Sequence, residues 1–138
     1  MPEEKALTLK ARLEAEVRPL EASLPPTVKK VLRCDGECGL WTYAEETPLF
    51  ANYLMRVDFY HRCEQLADAA EARWGAGSAP AKQWYEHYRH QLLQEEQGAH
   101  AVLRSLDYDR QTRRLSPTRR AEIDRQRTFF QCNKGRMN

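Results

Sequence analysis

No apolar run in this 138-residue chain approaches the ~18 residues of a membrane span. The opening Met1-Pro-Glu-Glu-Lys is acidic and lacks the apolar stretch of a signal peptide. Glycine is scarce, at 6 residues, and none falls in a phosphate-cradling or dinucleotide-binding loop. There is no Gly-x-Ser-x-Gly and no other nucleophile motif. Membrane spans, secreted precursors, nucleotide-loop enzymes and serine hydrolases are therefore not expected. With 41% hydrophobic and 30% charged residues, the composition is that of a folded chain with a polar surface. The expectation is one domain over 1–138, cytoplasmic, with a core sufficient without disulfides or metal.

Charge is unevenly placed. Residues 1–109 hold 13 Lys+Arg against 18 Asp+Glu, and residues 110–138 hold 9 against 2, so a body of −5 precedes an end of +7. Arginine supplies 16 of the 22 basic residues. Its charge persists in any surroundings, and its planar fork suits carboxylates and phosphates. Arg110, Arg113, Arg114, Arg119, Arg120, Arg125 and Arg127 fall within 18 residues, interrupted by Glu122 and Asp124. Such clustering serves an acidic partner or nucleic acid. The bland reading is a solvated helix tied back to the acidic body.

Along the chain, residues 1–26 read as an N-terminal helix with Ala6, Leu9, Leu13, Val17, Leu20 and Leu24 in one stripe. Pro19 predicts a stop or kink near Arg18, because its ring clashes with the preceding turn. Residues 27–46 read as a β-hairpin, 28–34 and 38–44. Val28, Val31, Leu32, Trp41 and Tyr43 favour strands, and Asp35-Gly36 suits a tight turn. A two-residue turn pairs Cys34 with Glu37. A three-residue loop pairs Cys34 with Cys38 and Leu32 with Leu40, gathering their side chains on one face.

Residues 47–106 read as a helical hairpin. Thr47-Pro48 and Ser78 start its two arms, and Gly75-Ala-Gly77 separates them. Leu54, Val57, Leu92, Val102 and Leu103 are its expected core. Residues 107–138 read as a basic loop, 107–115, and a helix from Pro117 to about Cys132. The predicted fold class is thus α+β: mostly helical, about four helices, with one two-stranded antiparallel β-hairpin packed on a long antiparallel helix pair.

Four cysteines and four histidines allow a metal reading. Cys34-x3-Cys38 is a zinc half-site, with His61, Cys63 or Cys132 to complete it. On a helix, however, His61 and Cys63 point about 200° apart, so they do not join one site. Asp58-x-x-His61 has the form of half a di-iron motif, but the facing helix lacks the second Glu-x-x-His. No metal, no cofactor and no catalytic residues are expected, and all four cysteines are expected as thiols. The Trp84-Tyr85-Glu86-His87-Tyr88 run reads as core rather than as a base-stacking platform.

The function expected is that of a small non-catalytic regulator or adaptor docking on a larger cytoplasmic assembly. Transcription machinery, RNA polymerase, is the first to test. The candidate partner-binding residues are the seven arginines together with Trp41 and Tyr43. The partner is a protein with an acidic patch. Nucleic acid bound through the basic segment is the alternative, and a small enzyme or zinc module comes third. No membrane partner is expected.

Overall fold

Val31–Cys34 forms a short strand, β1, whose partner is not the segment that follows Asp35-Gly36. The structure, a computed structural model, describes residues 2–36 and 38–137, side chains excepted at 2–8 and 38. Gly36 does take the positive φ expected of a turn glycine, +96°. The chain then enters a helix, α2 (Cys38–Glu46), rather than a returning strand. The second strand, β2, is Leu54–Val57. It pairs parallel to β1, Val31 with Leu54, Leu32 with Met55, Arg33 with Arg56 and Cys34 with Val57. The expected antiparallel hairpin is thus replaced by a β–α–β crossover. Parallel strands require such a connection, because the chain must return to the same end before it can pair.

The reason lies in α2. Helical spacing sends Trp41 and Ala44 to the same side, and both are buried. Trp41 Nε1 donates to Asn133 Oδ1 at 2.5 Å, and Asn133 Nδ2 donates to the Gly36 carbonyl at 2.8 Å. Burial of this tryptophan overrides the β preference of Trp41 and Tyr43, which amounts to no more than ~1 kcal/mol.

Thr47-Pro48 starts only a 3-10 turn, Pro48–Phe50. The Thr47 hydroxyl bonds backward to the Tyr43 carbonyl, 2.6 Å, instead of capping forward. Four helices then follow: α3 (Phe59–Trp74), α4 (Ala79–Gln94), α5 (Gly98–Thr112) and α6 (Pro117–Asn133). Ser78 and Ser116 cap α4 and α6 as expected, accepting from the amides of Ala81 (3.3 Å) and Arg119 (3.2 Å). The segment expected as one helix over 79–106 is broken at Glu95–Gln97. A Cβ on Gly98 would lie 2.3 Å from the Gln91 carbonyl oxygen, so only glycine lets α5 start this close to α4. The expected loop 107–115 is mostly helix, since α5 runs to Thr112.

Each of α3 to α6 packs against the next, and α6 returns to α3, closing a four-helix ring. Leu66, Ala69, Trp84, Leu92, Val102, Leu106, Ile123 and Phe130 fill it. Val57 of β2 and Trp41 of α2 close the end where α3 begins. Among the described residues there are six α-helices, not about four, and one parallel sheet.

The remaining helix, α1 (Pro2–Ser23), continues through Pro19. The carbonyl that Pro19 leaves without a donor is that of Ala15, an exposed residue where water can serve it. No helix of the described residues is long and apolar enough to cross a membrane.

Candidate docking surface

β2 leads directly into the start of α3, so the sheet sits at one end of the bundle. At the other end the C-termini of α3 and α5 meet the N-termini of α4 and α6. This end holds Gly75–Ser78 and Arg113–Ser116, and with them much of the basic segment.

The seven arginines divide into two groups. Arg110 Nε lies 2.6 Å from Asp124 Oδ1. Arg125 binds Glu122 twice, at 3.0 and 2.6 Å, and approaches Asp68 at 3.5 Å. Arg127 pairs with Asp107. Arg113 lies 3.6 Å from Asp109 Oδ1, with its guanidinium over the Trp74 ring at 5.2 Å. Four are therefore neutralised locally. Arg114, Arg119 and Arg120 are exposed and make no ion pair among the described residues. They flank the Ser116-Pro117 start of α6, where the helix dipole adds positive potential. Arg119 also reaches back toward the α3 terminus at Gly75.

Trp41 and Tyr43 do not join this group. Trp41 is 1% exposed, inside the core at the sheet end. Tyr43 is half-buried under α1, its hydroxyl 3.0 Å from Glu14 Oε2 and Lys10 Nζ 4.8 Å above its ring. Helical rather than strand geometry at 38–46 turned Trp41 inward and Tyr43 toward α1.

Beneath the basic end lies a feature the sequence reading missed. Arg73 on α3 forms an ion pair with Asp109 on α5, and the Asp109 side chain is fully buried. Arg73 Nη1 also donates to Ser105 Oγ at 3.3 Å, and that oxygen accepts from Trp84 Nε1 at 2.9 Å. The Arg73 guanidinium stacks 3.7 Å above the Trp74 ring centroid, with Trp84 and then Tyr88 packed beyond. Burial pushes the Arg73 pKa down to about 10, against the opposing pull of Asp109. Burial likewise pushes Asp109 up, opposed by Arg73 and Arg113. One signal was present in the sequence: Asp109 continues the Val102–Leu106 stripe by three residues, a carboxylate at a core position.

A second buried guanidinium stands at the sheet end. Arg62 donates to the Val57 carbonyl through Nε (2.9 Å) and Nη2 (2.7 Å), and to the Met137 carbonyl through Nη1 (2.5 Å). Burial lowers its pKa. It fastens Met137 over β2.

The thiol expectation holds for Cys34 and Cys63, which are free and half-buried. Burial pushes the Cys34 thiol up, which makes it a poor nucleophile. Cys132, expected as a thiol, is instead disulfide-bonded. The Cys38 side chain lies outside the described residues. His61 pairs with Asp58 one turn away, at 3.1 Å. No cluster of three or more metal-ligating side chains occurs among the described residues. A cleft of about 540 Å³ between α3 and α6 is lined by Asp68, Glu71, Thr118, Arg119, Glu122 and Arg125. Two of its acids, Asp68 and Glu122, are the ones Arg125 already binds.

Comparison of the chain with protein-family models, with curated proteins and with solved structures finds no match.

Proposed function

We propose that this protein is a non-catalytic cytoplasmic adaptor that docks on a larger protein assembly through the arginines at the α5–α6 corner. One observation supports this above the others. Of seven clustered arginines, Arg114, Arg119 and Arg120 alone are exposed and make no ion pair among the described residues, at one helix start. Their charge is available to an acidic patch. Such complementarity chiefly speeds association and fixes orientation. RNA polymerase is the first assembly to test.

Nucleic acid is the competing partner, and salt separates the two. Three phosphate contacts give a log–log salt slope of about −2.7 on duplex DNA, with weak affinity. The experiment is capture from nuclease-treated host lysate by the wild type and by an Arg114→Glu, Arg119→Glu, Arg120→Glu variant. The adaptor reading expects a specific protein captured by the wild type and lost in the variant, with the same unfolding temperature for both. Exposed charges of this kind contribute only ~0–1 kcal/mol to stability. Capture that vanishes with nuclease transfers the surface to nucleic acid. Capture unchanged by the triple reversal places the contact elsewhere.

A further inference from the structure

The helix that stays outside the bundle carries the longest run of exposed leucine among the described residues. Leu9 is 66% and Leu20 63% exposed, with Leu13 less so, and Leu24 is exposed just past the helix. At about 100° per residue, Leu9, Leu13 and Leu20 lie within about 40° of one another around α1. The helix touches the body through a different side. Tyr43 reaches Glu14 there, and Tyr53 reaches Glu21 Oε2 at 2.8 Å. Lys30 also binds Glu21, and Lys10 lies over Tyr43. These are polar contacts, and they turn the leucine stripe away from the core.

We propose that this stripe is a self-association surface, covered by α1 of a second copy running antiparallel. Two features select a second copy as the occupant. The first is spacing. With the two-fold axis between Glu14 and Ala15, Leu9 meets Leu20 of the second chain and the two Leu13 side chains fall on either side of the axis. The four leucine layers are then separated by four, three and four residues, the step of knobs-into-holes packing. The second is charge. Arg12 and Glu16 are exposed, lie together along one flank of the stripe, and make no ion pair among the described residues. The same axis brings Arg12 of each chain beside Glu16 of the other, giving two symmetric ion pairs. A patch that is complementary to itself about a two-fold axis is what a closed dimer needs. Pro19 points away from the stripe and does not obstruct it.

Sedimentation velocity of the full chain tests this at roughly 50 µM, because an interface this short is concentration-dependent. The expected species has twice the 16.2 kDa of one chain. Leu13→Glu with Leu20→Glu should give a monomer with unchanged helical circular dichroism. Arg12→Glu should weaken the dimer about tenfold by opposing Glu16, and Arg12→Glu with Glu16→Arg should restore it. A monomeric full chain overturns the proposal, and so does a leucine variant that still dimerises. If that variant does not fold, the charge exchange decides alone: failure of the double exchange to recover affinity overturns the antiparallel pairing. The basic corner takes no part, so this outcome is independent of the adaptor reading.

Discussion

Asp109 shows how much a single buried charge constrains this protein. Its fully buried carboxylate holds Arg73 against Trp74, with Trp84 beside it. Replacing one member of such a pair leaves the other desolvated without compensation, which costs ~3–5 kcal/mol. Asp109→Asn should therefore lower the unfolding free energy by about that amount in urea titration. A loss below ~1 kcal/mol would mean that Arg73 finds another acceptor or reaches solvent. The pair was not legible from sequence because its members are 36 positions apart. Asp109 also falls in the segment expected as a loop, because the polar run 107–115 shows no period that reveals its helical phase.

At the scale of elements, strand and helix exchange places over 38–57. Val57 is buried as expected, but on β2, and Leu54 beside it is 46% exposed. The two residues therefore separate in a way the helical-hairpin reading does not allow. Leu92→Ala should cost ~2–5 kcal/mol by opening a cavity between α4 and its neighbours, whereas Leu54→Ala should cost under ~1 kcal/mol. Equal losses by thermal unfolding would restore the two leucines to one core. The caps at Ser78 and Ser116 and the break at Gly75-Ala-Gly77 were legible, because capping depends on neighbours within three residues. The break before Gly98 was not, since that glycine serves a contact with Gln91 rather than a turn.

For the whole molecule, carboxylates held by neighbouring cations tie stability to pH, and acid should loosen the fold. Arg125 and Gln126 hold the Glu122 carboxyl below its ordinary 4.5, and Lys30 and Tyr53 do the same for Glu21. A lowered carboxylate adds stability that is complete above the unfolded value and is lost as pH falls through the folded one. The unfolding temperature should accordingly drop as the pH passes below 4.5. The difference between the wild type and Glu122→Gln, seen at neutral pH, should close over the same range. A difference that persists in acid would mean that Glu122 acts by shape rather than charge.

The chain's local signals determined where α4 and α6 start, that the protein is mainly helical, and that positive charge gathers after residue 109. Each of these depends on residues a few positions apart. The parallel pairing of β1 with β2, the inward turn of Trp41, the Arg73–Asp109 pair, and the choice of which arginines remain exposed were decided by the tertiary structure alone. Parallel strands and buried ion pairs join residues far apart in sequence, and their energies exist only once the intervening chain has folded between them. The leucines of α1 belong to both. Their spacing is legible at once, but only the packing of the other helices shows that the bundle is complete without them.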